Sequence, residues 1–188
     1  MERRKLFLCL EGADATGKTT IAHCLAERLR ATYYKTPGGI FARFRPLLDK
    51  IGDPVSRYLF FRAAIQQDSL LIRDLLLREP VVCDRYIYST FASHVALDER
   101  IASIHTTLDL VIPDLVVVLT ATSATRQTRL CARNEVTPLE RKADYQCLVD
   151  EIFRGLGFPV IDTTGTTPEE AASLILSTFL KTDTVSVR

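Results

Sequence analysis

The sequence is short of the features that mark metal-binding, disulfide-bonded and nucleic-acid-binding proteins. Its 188 residues include three histidines with no clustered ligands around them, so no zinc site is expected. The five cysteines are odd in number and widely spaced, and none forms a C-x-x-C pair. We therefore expect reduced thiols in a reducing compartment. The formal net charge is +1, so no overall basic field indicates nucleic acid as a partner.

Long apolar runs are also missing, and no stretch is long enough to span a membrane. The chain opens with a basic and then an apolar segment, as a signal peptide would. That apolar run is too short, however, and it leads directly into a glycine-rich loop. We expect a cytoplasmic protein with no membrane partner, folded as a single domain over 1–188.

The most informative segment is the glycine-rich loop EGADATGKTT at 11–20. It contains G-x-x-x-x-G-K-[ST], with an apolar strand-like run before it and a helical pattern after it. In this setting the backbone N–H groups and the helix N-terminus surround a phosphate chain. Lys18 would then reach the β- and γ-phosphates of ATP, and Thr19 would place its hydroxyl on Mg²⁺. The residues predicted to bind the nucleotide are Gly12, Ala13, Ala15, Thr16, Gly17, Lys18, Thr19 and Thr20.

Strand-like and helical segments alternate along the chain. The strand-like runs lie at 5–10, 32–35, 81–84, 115–120 and 159–162, and a long helix is expected over about 54–78. This alternation predicts an α/β, three-layer P-loop NTPase fold, with a five-stranded parallel sheet flanked by helices. Ligands bind at the carboxyl ends of such strands, where the glycine-rich loop, 36–39 and 84–85 fall.

Charged residues beyond the loop supply the other parts of a phosphoryl-transfer site. Asp84 can orient a metal-bound water or hydroxyl, and Arg85 can clamp a phosphate bidentately. An aspartate cap with a surface ion pair is the alternative, but the position beside a phosphate loop favours function. A basic helix and a polar turn predict a mobile lid around 133–143 that brings arginines onto the transferred group. The candidates are Arg129, Arg133 and Arg141, although a solvated helix face explains some of these charges.

Three further residues are candidates for the acceptor side of the site. Asp14 lies in the loop, where its carboxylate does not help to bind an anionic nucleotide, so we expect it to face the acceptor and bind a sugar hydroxyl. Phe60 is either a core residue or the floor under a flat base through offset stacking. His94 either lines the acceptor pocket or is structural.

Taken in order, these motifs resemble the thymidylate kinase family of nucleoside monophosphate kinases over nearly the whole chain. The resemblance includes the Glu-Gly-x-Asp loop, the Pro-Gly-Gly turn at 37–39, Asp-Arg-Tyr at 84–86 and the Thr-Pro-Glu-Glu segment at 167–170. It implies that Lys18 and Thr19 handle ATP and Mg²⁺, that Arg85 holds the acceptor phosphate and that Phe60 stacks on the base. It also implies a homodimer in which the long helix pairs with its symmetry mate, the alternative being that this helix is wholly internal.

Several positions depart from the family pattern. Ala15 stands where some members carry a catalytic arginine, and members without it use lid arginines, which fits Arg133 or Arg141. Lys35-Thr36 replaces the usual Arg-Glu, Ala64 stands in place of a thymine-reading arginine, and Ser93-His94 replaces a Tyr-Gln pair. A site built to hydrogen-bond a base loses much discrimination when those partners are absent. We therefore expect the phosphate machinery to be kept and the acceptor to differ from dTMP.

Three activities remain open from the sequence. The first is ATP- and Mg²⁺-dependent transfer to a nucleoside monophosphate, which needs no protein base because the acceptor is already an anion. The second is phosphorylation of a hydroxyl on a nucleoside or nucleoside-like metabolite, which needs a general base. Deoxynucleoside kinases carry a glutamate at the position of Thr36, and Asp14 or Asp84 could substitute for it. The third is a nucleotide-binding regulatory module without catalysis, which the lid arginines and Asp84-Arg85 argue against.

Overall fold

The computed structural model describes residues 5–48, 52–133 and 136–185, with the side chains at 45–46 and 179–185 left out. Its centre is a five-stranded parallel sheet in the order β2-β3-β1-β4-β5. The strands are β1 (Phe7–Glu11), β2 (Thr32–Lys35), β3 (Val81–Asp84), β4 (Leu115–Thr120) and β5 (Val160–Asp162). The helices are α1 (Lys18–Leu29), α2 (Gly39–Leu48), α3 (Pro54–Leu75), α4 (Ile87–Val95), α5 (Ile101–Ile104), α6 (Ser123–Cys131), α7 (Ala143–Gly155) and α8 (Pro168–Val185). The predicted α/β fold with a five-stranded parallel sheet is confirmed.

The sheet is covered by helices on both faces because its strands are apolar on both faces. Side chains alternate along a strand, so Leu8 and Leu10 point to one side and Phe7 and Cys9 to the other. The first pair packs in a core formed with α1 and α8, and the second in a core formed with α3 and α4. All four side chains are fully buried. A strand buried on both faces is typical of a parallel sheet between two helical layers.

The parallel register brings the functional ends of three strands together. Leu10 of β1 lies opposite Asp84 of β3, which in turn lies opposite Lys35 of β2. The first strand is displaced by one to two residues from the predicted 5–10 because Glu11 continues the pairing with Val118 of β4. The phosphate loop, the β2–α2 turn and the β3–α4 connection therefore all open at one edge of the sheet.

Local sequence signals set most of the helix boundaries. Asp53 caps α3 by accepting a hydrogen bond from the N–H of Ser56 at 2.8 Å. The expected capping box of α8 is present, since Thr167 and Glu170 each accept a hydrogen bond from the other's backbone N–H. The long helix ends at Leu75 rather than near 78, because a tight turn before Pro80 follows it.

Three structural findings bear on the classes of protein that composition brought into question. In the part of the chain that the structure describes, no helix is long and apolar enough to cross a membrane. The same residues hold no group of three or more His, Cys, Asp or Glu side chains that could bind a metal ion. The five cysteines are free thiols.

Candidate active site

The phosphate loop joins β1 to α1 through a backbone path that excludes most side chains. Gly12 has φ 132°, and a Cβ there would lie 2.2 Å from the carbonyl oxygen of Leu119 on β4. Only glycine can occupy this position without moving the neighbouring strand. Gly17 at φ 90° and Ala15 at φ 61° also adopt left-handed backbone conformations. Such strained conformations persist where the surrounding structure enforces them, which is common at functional sites.

Lys18 begins α1 with its amine folded back over the loop. The side chain is only 4% exposed, and Nζ donates to the carbonyl oxygen of Ala13 at 2.5 Å and to Oγ1 of Thr16 at 3.2 Å. Burial, reinforced by the nearby Arg85 guanidinium, lowers the pKa of Lys18 to about 7. In the free protein, burial therefore disfavours the positively charged form of the amine. Phosphates bound in the loop would favour that form.

A cavity of about 370 Å³ opens in front of the loop. Of the residues predicted to bind the nucleotide, five line it: Ala15, Gly17, Lys18, Thr19 and Thr20. The remaining three are buried and belong to the loop backbone without lining the cavity: Gly12, Ala13 and Thr16. We refer to this space as the nucleotide cavity.

Asp84 and Thr19 meet at the floor of the nucleotide cavity. The Thr19 hydroxyl donates to Oδ2 of Asp84 at 2.5 Å, and Nζ of Lys35 lies 3.5 Å from the same oxygen. Burial would raise the pKa of Asp84, but Lys18 and Thr19 outweigh it and the net pKa lies below its ordinary value. The other oxygen, Oδ1, is buried and has no hydrogen-bond partner among the described residues. An ionised carboxylate with a free buried oxygen beside a threonine hydroxyl fits the donor set that Mg²⁺ prefers.

Arg85 lies between the nucleotide cavity and a second cavity, and it lines both. It adopts φ 69°, which turns the chain sharply between β3 and α4. Its guanidinium pairs with Asp14, and it also donates to the carbonyl oxygen of Gly12 at 3.2 Å and to Oγ of Ser89 at 3.4 Å. These contacts hold the guanidinium in one orientation, in which it faces both cavities.

The second cavity has a volume of about 260 Å³ and is called the acceptor cavity below. Asp14 and His94, both proposed from the sequence for the acceptor side, line this cavity. The phenylalanine that lines it is Phe61, beside Tyr86 and Tyr145, and not the predicted Phe60. Phe60 instead packs edge to face on Phe41 of α2, with ring centroids 5.5 Å apart. The sequence pattern does not show which of two adjacent phenylalanines faces a cavity. The rotation of α3 about its axis decides this and places Phe61 on the cavity wall.

His94 is held as a neutral ring in the wall of the acceptor cavity. Its Nδ1 lies 2.7 Å from the carbonyl oxygen of Thr90, one turn earlier in α4, and therefore carries the proton. Burial lowers the pKa of His94 to about 4, so the imidazole is uncharged at neutral pH. The ring packs against Phe61 with centroids 5.3 Å apart. His94 is thus both a wall residue and a packing residue.

The three arginines predicted to act in the lid are separated by the structure. Arg133 lines the nucleotide cavity and pairs with Glu140 at 3.1 Å. Arg129 supports the phosphate loop, because its guanidinium donates to the carbonyl oxygen of Ala15 at 3.2 Å. Arg141 is exposed and lines neither cavity, contrary to the predicted role. Glu140, in a turn at 138–141, lines both cavities, while Asn134 and Glu135 of the predicted lid lie outside the described residues.

Three buried polar residues were missed by sequence reasoning. Glu11 is fully buried at the end of β1, where it accepts hydrogen bonds from the backbone N–H of Tyr86 at 3.0 Å and from the Ser89 hydroxyl. Asp68 on α3 accepts from the N–H of Gly38 at 3.0 Å and so holds the Pro-Gly-Gly turn. The third is Gln146 on α7. A carboxylate directly after an apolar strand was a usable signal for Glu11, whereas the other two look like ordinary helix residues.

Comparison with known proteins agrees with this geometry. The thymidylate kinase family matches the chain over residues 10–175. A probable thymidylate kinase from Methanococcus vannielii is 30% identical over 184 residues, covering 87% of this chain and 90% of the relative. One from Methanocaldococcus jannaschii is 30% identical over 182 residues, covering 94% of this chain and 96% of the relative.

Solved structures give the same answer for the fold. A thymidylate kinase structure from Candida albicans superposes with a TM-score of 0.75 at 20% identity, covering 96% of this chain and 93% of that one. A thymidylate kinase structure from Ehrlichia chaffeensis superposes with a TM-score of 0.64 at 20% identity. With a phosphate loop, two adjoining cavities and a family match over most of its length, the chain belongs to the thymidylate kinase family and is a nucleotide kinase.

Proposed function

We propose that the protein transfers the γ-phosphoryl group of ATP, with Mg²⁺, to a nucleoside monophosphate other than dTMP as its best acceptor. The observation that carries this proposal is the position of Arg85, which lines both the nucleotide and the acceptor cavity. Phosphoryl transfer requires donor and acceptor phosphates to be held side by side and in line. A fixed guanidinium between two cavities supplies the positive charge at that meeting point.

Lys18, Thr19 and Asp84 act on the donor side. Lys18 would turn from its loop carbonyl to the β- and γ-phosphates, and the loop N–H groups would bind the same chain. Thr19 and Asp84 would hold Mg²⁺, which supplies neutralisation of the charge on the phosphates. Asp84 keeps its charge in this setting because its pKa lies below the ordinary value.

A phosphate acceptor fits the acceptor cavity better than a hydroxyl acceptor. A hydroxyl needs a general base. Asp14 pairs with Arg85, Asp84 accepts from the Thr19 hydroxyl, and the Thr36 hydroxyl donates to the carbonyl oxygen of Arg85. Each of the two candidate bases, Asp14 and Asp84, thus has one carboxylate oxygen engaged, and Thr36 offers no carboxylate at all, whereas a phosphate acceptor needs no base and only the cation of Arg85.

At Ala64 and at Ser93-His94 the chain lacks the groups that recognise thymine in the family, and the α3 arginine that does line the acceptor cavity, Arg57, lies one helical turn before Phe61. Phe61 supplies a flat ring for stacking. One helical turn further along α3, Ala64 and Ile65 are both fully buried and apolar, so no arginine reaches the base from there. His94 offers an uncharged ring, and Ser93 a small hydroxyl that donates to the carbonyl oxygen of Ser89 at 2.7 Å. This set supports a base other than thymine.

The overall organisation completes the proposal. We take 1–188 as one kinase domain, with a lid around 133–143 that carries Arg133 over the transferred group. Arg129 acts behind the loop rather than on the phosphate. We also propose a cytoplasmic homodimer, for which the exposed apolar side chains of Leu59, Leu70 and Leu71 on α3 provide a surface.

The test is to incubate the purified protein with ATP, Mg²⁺ and a panel of nucleoside monophosphates and nucleosides, and to identify products by mass. A nucleoside diphosphate from a base other than thymine is expected. dTMP as the best acceptor would overturn the specificity. A monophosphate made from a nucleoside would overturn the acceptor class, and ATP hydrolysis unaffected by every acceptor would favour a regulatory module.

Arg85→Ala tests the observation that carries the proposal. We expect the KM for the nucleotide acceptor to rise roughly 10- to 100-fold, the cost of losing a charge-assisted hydrogen-bond pair, with a much smaller change for ATP. Arg100→Ala is a matched control, because it removes an exposed arginine that pairs with its neighbour Asp98 at 2.6 Å and lines neither cavity. Equal losses for ATP and acceptor in the Arg85 variant would show that Arg85 does not hold the acceptor.

A further inference from the structure

Gln146 on α7 makes three hydrogen bonds to parts of the site that lie far apart in sequence. Its Oε1 accepts from the backbone N–H of Asp14 at 3.1 Å. Its amide nitrogen donates to Oδ2 of Asp14 at 3.2 Å and to the carbonyl oxygen of Leu139 at 3.3 Å. The side chain is 5% exposed, so water does not compete freely for these bonds.

The chemistry of the partners fixes the orientation of this amide. A backbone N–H only donates, so it must face the amide oxygen. A carboxylate and a carbonyl only accept, so they must face the two N–H groups. No other side chain of this size satisfies all three, because a glutamate has no hydrogen to donate when ionised and a methionine offers neither group.

The partners of Gln146 belong to two separate segments of the site. Asp14 of the phosphate loop uses its other oxygen, Oδ1, to pair with Arg85. Leu139 lies in the turn at 138–141 of the proposed lid, called the lid turn below, and lines the acceptor cavity next to the Glu140 that pairs with Arg133. One amide therefore connects the phosphate loop, the acceptor arginine and the lid turn.

We propose that Gln146 is a positioning residue that orients the Asp14 carboxylate toward Arg85 and couples this pair to the lid turn. This inference rests on the proposed function, in which the acceptor lies against Asp14 and Arg85. Without the amide, the Asp14 carboxylate is no longer held in one orientation toward Arg85. The KM for the acceptor should therefore rise, while the KM for ATP should stay the same.

Gln146→Glu gives the sharpest test because the new side chain changes character with pH. When ionised, it repels the Asp14 carboxylate and cannot donate to Leu139. When protonated, it has one O–H to donate to Asp14 and one carbonyl to accept the backbone N–H, which restores both contacts with the loop. Burial and the neighbouring carboxylate raise the pKa of an introduced glutamate by a few units.

Other charges around this position act on the same titration. The phosphate loop contributes Asp14 and Lys18, the β3–α4 connection contributes Arg85 and the lid turn contributes Glu140. On α7 itself, Asp150 lies one turn after Gln146 and pairs with Arg126 of α6 at 2.9 Å, and α4 contributes the neutral ring of His94. The wild-type protein carries the same groups. The ratio of the acceptor KM of the variant to that of the wild type at each pH therefore isolates the effect of the introduced glutamate.

The experiment measures initial rates at pH 5.5 to 8 with ATP, Mg²⁺ and the fastest acceptor among dTMP, dUMP, dCMP, dGMP, dAMP and their ribonucleotides. At pH 8 we expect Gln146→Glu to raise the acceptor KM roughly 10- to 100-fold, with the KM for ATP unchanged. Toward pH 5.5 the acceptor KM should return to the wild-type value. Gln127→Glu, the same change at an exposed position of α6, should match wild type at every pH.

Gln146→Met keeps the size of the side chain and removes its polarity, so the acceptor KM should stay high across the whole pH range. Thermal melting would reveal whether Gln146→Glu folds. If it does not, Gln146→Met provides the test, because only the KM for the acceptor should rise and the KM for ATP should not. A wild-type acceptor KM in both variants, equal losses for acceptor and ATP, or no recovery at low pH would overturn the role of Gln146. Absence of acceptor-dependent transfer by the wild-type protein would instead overturn the proposed function, and this inference with it.

Discussion

ATP binding should be accompanied by proton uptake at Lys18. In the free protein, burial and the Arg85 guanidinium lower the pKa of this amine to about 7. At pH 8 an amine with that pKa is neutral in about 0.9 of the molecules. Phosphate oxygens against the amine favour its charged form and restore the pKa toward its ordinary value, so the bound state carries the proton.

The magnitude follows from these two states. Binding at pH 8 should take up about 0.9 proton, and the affinity for ATP should fall about tenfold for each pH unit above 7. Uptake is measured by titration calorimetry in buffers of different ionisation enthalpy at one pH, because the slope of the observed enthalpy gives the number of protons. Lys18→Arg is the matched control, since a guanidinium is charged in both states and should take up no proton.

A slope near zero for the wild-type protein would refute the reasoning, because it would mean that Lys18 is already charged in the free protein. An equal slope in Lys18→Arg would show that the proton goes to another group. In either case the folded-back amine would be an ordinary ammonium ion.

The remaining predictions concern packing on the acceptor side. Gly38→Ala should lower the free energy of unfolding by about 1–3 kcal/mol in chemical denaturation, because its Cβ would lie 2.7 Å from the Tyr34 hydroxyl. Gly52→Ala, with nothing within 4 Å of its Cβ, should leave stability nearly unchanged, and equal losses would contradict this account. Phe61→Leu should raise the KM for the nucleotide acceptor roughly 2- to 13-fold through lost stacking on the base. Phe60→Leu should change it little, and the reverse order would restore the original prediction.

The phosphate loop was predictable because its chemistry is local. Glycines, a lysine and a threonine at fixed spacing determine a backbone path and a phosphate site within one strand–loop–helix unit. Continuous apolar runs such as those of β3 and β4 likewise determine buried parallel strands, since both faces must be covered. The capping box predicted at Thr167 and Glu170 is present, because it too depends only on residues close together in the sequence.

The acceptor side depended on the tertiary structure because its residues come from separate helices. The rotation of α3 decides that Phe61 rather than Phe60 faces the cavity, and no periodic pattern distinguishes two adjacent rings. The tertiary structure likewise decides that Arg133 lines the nucleotide cavity while Arg141 lies exposed outside it.

The sequence by itself therefore determined the fold, the family and the phosphate-binding loop, because each depends on patterns that are contiguous in the chain. Only the tertiary structure revealed the partners of Asp14, since the arginine and the amide that hold it lie 71 and 132 residues away. Hydrogen bonds across such separations depend on how helices pack on the sheet, and packing is a property of the whole chain rather than of any segment.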